Sequence, residues 1–541
     1  KGSRMTYRLG DVVFTREMML VQKKEQMLIK VTLEKANSVV TMRMHPFLAF
    51  RNIHKLSKAN LYVNRQYEEA PNGIKSCMYE GYPDLYMQLS KKAEFVAVPD
   101  WYYNIEYLEE QRRGYDYKED LYVPGYFELT LKKGESVVFS AATHEAKTMG
   151  LKRLFQRESD LRIPLDSFWN CLHNSAQQFV VRSRTKTQIL SGFPWCGVSS
   201  RHTFISLPGL TLSTGETKSA FDVINTMVKT MRNGLFPNAY RQGHAYYNSA
   251  DAPLWFIWSL QQLQKYSGED VWNLYRKPVM QIMEAYITGT EFGIAMHDNG
   301  LIFGGEDQIP VTWMDASPGG NPVTLRKGYA VEVNALWYNA VCQVLSWSDR
   351  NSAFCQKWGT LPAVIEESFV NEFWISDKGY MADYVDNGYK DIAVRPNMVI
   401  ATSLEFSPVN KEMKKSILDV VKSELLTPKG LRSLSPKNPM YRETYEGDQE
   451  KRDRAAHQGT VHPWFLEHFV RGYLDVHKRS GLNLIKELYD GFERDMTEYG
   501  IGTISEMYDG NLPHDPRGAT SFASSVASVL RTGEIIDNYK R

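Results

Sequence analysis

The chain has 541 residues, too many for one ordinary domain, and its charges nearly cancel, with 64 Lys and Arg against 63 Asp and Glu. That balance excludes the basic footprint of a nucleic-acid or anionic-membrane binder and points to a neutral ligand selected by shape. Five cysteines, an odd number without CxxC spacing, argue against a disulfide framework and a zinc site.

The opening residues Lys1-Gly2-Ser3-Arg4-Met5 lead into a charged stretch and not an apolar h-region, so no signal peptide is expected. With no apolar run of the roughly 18 to 20 residues that span a bilayer, the expected setting is cytoplasmic, with no membrane or nucleic-acid partner. From Met5 to about Ser140, short alternating runs such as Val12-Val13-Phe14-Thr15, Met27-Leu28-Ile29-Lys30-Val31-Thr32-Leu33 and Glu135-Ser136-Val137-Val138-Phe139 are divided by turn residues. Period-two segments at short intervals predict an antiparallel β-sandwich over residues 1–155.

After about Ile163 the pattern changes to apolar residues at three- and four-residue spacing. Helices are predicted over residues 165–184, 218–233, 254–266, 271–288, 331–348, 352–372, 411–426, 463–479, 482–497 and 520–532, with short ones near Arg201 and Asn397. A dozen helices without intervening strand runs predict a mainly α domain over residues 156–541, an (α/α)6 toroid or barrel. Long polar, aromatic, Gly-rich connections follow roughly every second helix, so they could gather on one face, and loops of that length are usually functional.

Two carboxylates in these loops stand apart from salt-bridging charge runs. Asp315 follows Val311-Thr312-Trp313-Met314, where an apolar neighbour favours a protonated carboxyl able to act as a general acid. Glu506 lies among Ser505, Tyr508 and Asp509, a polar setting suited to an ionised base holding a water. On the residues alone, Asp315 as a turn cap and Glu506 as an ordinary loop glutamate are the alternatives. The run Gly192-Phe193-Pro194-Trp195 with Arg201-His202, and the run Tyr246-Tyr247-Asn248 with Asp251, place flat rings beside hydrogen-bonding groups, as a polyhydroxylated ligand requires. Asp251 is alternatively a helix N-cap. His457 and His462 lack a suitable third ligand, so no metal is expected, and no cofactor either.

Taken together, Gly192-Phe193-Pro194-Trp195, Leu207-Pro208-Gly209-Leu210, Tyr247-Asn248 with Asp251 and Trp255-Phe256, and Thr312-Trp313-Met314-Asp315 form an ordered series of motifs. It continues with Val331-Glu332-Val333-Asn334-Ala335-Leu336-Trp337, Arg395-Pro396-Asn397, His457-Gln458-Gly459-Thr460, and Glu506 with Asp509-Gly510. From about residue 160 onward the chain resembles the glucosidase domain of glycogen debranching enzymes, the amylo-α-1,6-glucosidase type. The resemblance implies an (α/α)6 barrel that hydrolyses the α-1,6-linked glucose stub of glycogen or another branched α-glucan oligosaccharide, with inversion. It implies Asp315 as general acid and Glu506 as general base, a pair that in an inverting enzyme stands roughly 6.5 to 9.5 Å apart. The sugar pocket is then expected from Trp195, Arg201, His202, Asp251, Trp313, Asn334 and Trp464, and its rim from Arg326, Asn397, His457 and Gln458.

The chain departs from the family at two places. The usual Trp-Gly-Arg-Asp-Thr reads Ser199-Ser200-Arg201-His202-Thr203 here, and an imidazole accepts at most one hydroxyl hydrogen where a carboxylate accepts two. His462 stands where the family commonly has Trp. These departures leave two other expectations open: a glucan-binding protein with impaired catalysis, and a barrel acting on a different small α-glucoside such as trehalose.

Overall fold

The computed structural model describes residues 2–241 and 243–540. The chain divides into two compact units between Leu165 and Asp166. In the first, β1 (Ser3–Leu9), β2 (Val12–Leu20), β3 (Gln26–Lys35), β5 (Tyr67–Ala70), β6 (Gly73–Ser76), β7 (Leu85–Leu89) and β10 (Ser136–Ala142) make an antiparallel sheet in the order β1-β2-β3-β10-β7-β6-β5. A second antiparallel sheet runs β4-β9-β8, from β4 (Val40–Met44), β8 (Glu94–Glu106) and β9 (Lys118–Leu131). Val31 and Leu33 of β3 and Phe127, Leu129 and Leu131 of β9 lie in one apolar core, two sheets facing across a common interior.

Leu28, three residues before Val31, points to the other face of β3 and meets Val138, Leu151 and Phe155. The helix Leu151–Asp160 therefore covers the outer face of this sheet, and that packing carries the first unit on to Leu165, ten residues beyond the expected limit.

Among the described residues of the second unit, twelve of the helices make up its ring: α1 (Phe168–Phe179), α2 (Ser200–Leu207), α3 (Thr217–Val228), α4 (Ala252–Ser267), α5 (Val271–Thr288), α6 (Val331–Trp347), α7 (Leu361–Phe373), α8 (Val399–Ser403), α9 (Lys411–Glu424), α10 (Leu466–His477), α11 (Leu482–Asp490) and α12 (Ala523–Lys540). The even-numbered helices touch in a closed circle, α2-α4-α6-α8-α10-α12 and back to α2, and odd-numbered helices pack outside them. Position in the ring is written in the sequence. Every residue from Ala252 to Leu263 of α4 is buried, whereas α9 buries only Ile417, Leu418 and Val421. An inner helix is apolar all round, an outer one on a single stripe.

The circle closes where α12 crosses the chain just after α2. A Cβ on Gly209 would stand 2.3 Å from the Ala527 carbonyl oxygen, so the approach depends on glycine facing alanine. Some predicted helices are shorter or interrupted. Residues 352–372 form two, Ala353–Trp358 and Leu361–Phe373, parted at Gly359; residues 482–497 break at Gly491; and the first ends at Phe179, where the strand Val180–Arg182 begins. Among the described residues no helix is long and apolar enough to cross a membrane.

Candidate active site

A cavity of about 1070 Å³ opens within the second unit, among the loops that lead into the N-terminal ends of the inner helices. Its walls come from the segments before α2, α4, α6, α10 and α12. The segment before α8, with Asp383, Arg395 and Asn397, is buried and does not reach the cavity. Five strands of two or three residues knit the loops together, in the order Leu426–Thr427, Gly430–Arg432, Val461–His462, Met507–Tyr508 and Pro516–Arg517. The pairing of Val461 with Tyr508 ties the loop of His462 to the loop of Glu506.

Asp315 and Glu506 both line this cavity. Asp315 is held by side chains: its Oδ2 accepts from Arg201 Nη1 at 3.3 Å and from Asn238 Nδ2 at 3.4 Å, and 39% of the side chain is exposed. Met314, the residue before it, is fully buried, with its sulfur against Arg395 and Asn397. Arg201, in the first turn of α2, gives its Nε to Asp251 at 2.7 and 3.0 Å and its Nη2 to Ser249 Oγ at 3.2 Å. Burial disfavours the guanidinium charge, but Asp251 and Asp315 outweigh it and hold Arg201 protonated above its ordinary range. Asp251 stands at the N-cap position of α4, yet its carboxylate caps no amide and does not line the cavity; it is the buried counter-ion of Arg201.

Glu506 is held by main chain. Its own N–H donates to the Ala519 carbonyl at 2.9 Å, and the Ala519 N–H donates to Glu506 Oε2 at 2.8 Å. Gly518, at φ +69°, lies so close that a Cβ would sit 2.4 Å from Oε2. Beside it, Asp509 accepts from the Tyr445 N–H at 2.7 Å and from Arg517 at 2.6 and 2.8 Å, which places Tyr445 on the cavity wall. Burial, then the nearby Glu506 charge, push the Tyr445 phenol well above its ordinary range.

Trp313, Trp464, His202, His457 and His462 complete the lining near these groups. The Trp313 ring meets His457, His462 and Trp464 edge to face, with centroids 5.0, 5.0 and 5.5 Å away. Its indole N–H donates to Asn397 Oδ1 at 2.7 Å; Asn397 Nδ2 donates to Asp383 at 2.7 Å; and Arg326 joins Asp383 to Glu332, with contacts of 2.6 Å to each. Burial lowers all three imidazoles: His202, also facing the Arg201 charge, falls to about 3, His462 to about 4, and His457 well below its usual value. His202 Nδ1 and His457 Nδ1 have no hydrogen-bond partner. Both atoms are buried, so the two neutral imidazoles face the cavity with other atoms of their rings.

Several expected contacts lie behind this surface. Arg326 and Asn397 are a buried relay under Trp313 and not a rim. Asn334 spends its amide on Ile302 and Ala330, pinning a strand to α6. Gln458 bridges Arg395 and Thr324, and Trp195 sits outside the cavity although Cys196 to Ser199 line it. Sequence reasoning missed Asn238, Ser249, Tyr445 and the Gly518–Ala519 clamp. Only the Tyr- and Asn-rich character of their loops marked them.

The sequence matches the family model described as amylo-alpha-1,6-glucosidase over residues 174–531, and that described as glycogen debranching enzyme N terminal over residues 2–138. It is 22% identical over 373 residues to a Saccharomyces cerevisiae glycogen debranching enzyme, covering 52% of this chain and 24% of that protein, about a quarter of its length. Among solved structures it is similar to a bacterial glucoamylase complexed with acarbose, with a TM-score of 0.60 at 12% identity, over 98% of this chain and 82% of that one. That likeness identifies the fold of the second unit as the glucoamylase-like (α/α)6 type and agrees with the closed circle of inner helices. The chain belongs to the amylo-alpha-1,6-glucosidase family.

Proposed function

We propose that this chain is an exo-acting, inverting glucosidase that releases glucose from α-1,6 stubs of glycogen or a related branched α-glucan. The observation that carries the reading is that Asp315 and Glu506, far apart in the chain, line one cavity. In this reading Asp315 donates its proton to the glycosidic oxygen as the C1–O bond breaks. Glu506 takes a proton from a water that attacks C1 from the opposite face, so the product is β-glucose. The main-chain clamp on Oε2 supports this role, since it fixes the position of the carboxylate. Trp313 and Trp464 offer ring surface to a sugar, and His202, His457 and His462 line the same cavity as neutral imidazoles. The acarbose complex of the similar glucoamylase supports an α-glucan ligand. We also infer a cytoplasmic setting, where such a polymer is stored.

The test is glucose release from a glycogen limit dextrin carrying single α-1,6 stubs, with the anomer followed by NMR. β-Glucose appearing first is expected. α-Glucose first, or no release, would sink the reading. The unpaired His202 in place of the family's carboxylate favours a second reading, a glucan-binding protein with impaired catalysis, for which binding without release is the expected result.

A further inference from the structure

Asp315 reaches its side-chain partners only across 3.3 and 3.4 Å, so its place in the cavity depends on the chain that carries it. That chain is tied at Val311, whose carbonyl accepts from the Ala250 N–H at 2.8 Å, and at Ala316, whose carbonyl accepts from the Val323 N–H at 3.0 Å. Between the two ties, both residues that precede Asp315 meet Asn397. The Trp313 indole N–H donates to Asn397 Oδ1 at 2.7 Å, and the Met314 sulfur lies 3.8 Å from Asn397 Nδ2.

Asn397 is fully buried, in the turn Pro396–Met398 that leads into α8. Its amide has one possible orientation. An indole N–H only donates and an ion-paired carboxylate only accepts, so the amide oxygen must meet Trp313 and the NH2 group must meet Asp383, at 2.7 Å. Asp383 is fixed in turn: Arg326 Nε and Nη2 reach its carboxylate at 2.6 and 3.1 Å, and Nη2 its main-chain carbonyl at 2.9 Å. Arg326 is itself held by Glu332 in the first turn of α6. Burial works against the Arg326 charge, but Asp383 and Glu332 outweigh it and keep the guanidinium protonated above its ordinary range. A fixed ion-paired cluster thus ends in one amide, and neither a carboxylate nor an apolar side chain at this position satisfies both neighbours.

We propose that Asn397 is a positioning residue for the reaction: through the indole N–H it sets the tilt of the Trp313 ring in the cavity wall and the placement of Asp315 two residues on. Asn397 lies behind the cavity and acts only through Trp313. The consequence for turnover rests on the glucosidase reading, but the geometry has its own test.

The test is a cycle of Asn397→Leu, Trp313→Phe and the double variant. Phenylalanine keeps a ring at position 313 but has no N–H for Asn397 to hold. On the limit dextrin, Asn397→Leu is expected to lower kcat/KM about 10-fold in the unaltered background and less than about 2-fold in the Trp313→Phe background. Equal losses in the two backgrounds overturn the proposal, because mere support of Asp383 by Asn397 would persist without the indole. Fluorine NMR of the chain labelled with fluorotryptophan is the second readout and needs no substrate. The Trp313 resonance, assigned by its loss in Trp313→Phe, is expected to shift in Asn397→Leu. An unmoved resonance overturns the proposal. A moved one supports it even where the unaltered chain releases no glucose, a result that would sink the hydrolase reading alone. Asn397→Asp, equal in shape, replaces the leucine variant in both measurements should that chain not fold.

Discussion

The two carboxylates of the cavity are held by opposite means. Asp315 is gripped by side chains, with Arg201 balanced from behind by Asp251, and Asn238 held in turn by Ser199 at 3.4 Å. Glu506 is gripped by the backbone of Ala519, with Gly518 leaving no spare space. A side-chain grip is exposed to substitution at each partner and depends on buried charge. A main-chain grip is indifferent to most side chains and vulnerable to one added methyl group.

The sharpest way to break this contrast is Gly518→Ala. Its Cβ would displace Oε2, so the loss in kcat should approach that of Glu506→Gln, on the order of 10² to 10⁴, read on the limit dextrin with thermal melting to confirm folding. A folded, active Gly518→Ala protein would show that the clamp is not needed. On the other wall, Asp251→Ala leaves the Arg201 guanidinium buried with only Asp315 to answer its charge. A stability loss of about 3 to 5 kcal/mol is expected by denaturant unfolding, with reduced turnover as Arg201 draws on Asp315. A near-neutral result would mean that Asp315 alone balances Arg201.

The smallest effect concerns the buried imidazoles between the two walls. An unfolded histidine accepts a proton near pH 6.5, whereas folded His462 resists until about pH 4, and burial holds His457 well below its ordinary value too. The unfolded chain thus binds more protons below pH 6.5, and stability falls as pH drops from there towards pH 4, by about 2 kcal/mol from His462 at pH 5. Melting temperature should decline from pH 7 to pH 5, and His462→Phe should flatten the slope. A flat profile in the unaltered protein would show that these rings protonate at little cost.

What the sequence revealed follows from how structure is encoded. The twelve ring helices carry 3.6-residue periodicity or unbroken apolar runs, and Val271–Thr288 matches its expected bounds. The two-residue strands that knit the cavity walls are too short to show any period, so the link from Val461 to Tyr508 was not legible. The motifs marked Asp315, Glu506, Arg201 and His202, which all line the cavity, because they lie in loops rich in rings and glycine. They did not separate cavity lining from support. Arg326, Asn334, Asn397 and Asp251 have the same residue types and motif neighbours as direct ligands, and only their buried partners give them away.

The helix that closes the ring, Ala523–Lys540, is also the last of the twelve to be synthesised. A chain emerging from the ribosome therefore has Arg201 and Asp315 long before the segment of Glu506 and Ala519 exists to face them. Until Gly209 can receive Ala527, the circle of inner helices is open and the cavity lacks its Glu506 wall. Closure of the cavity therefore waits on Ala523–Lys540.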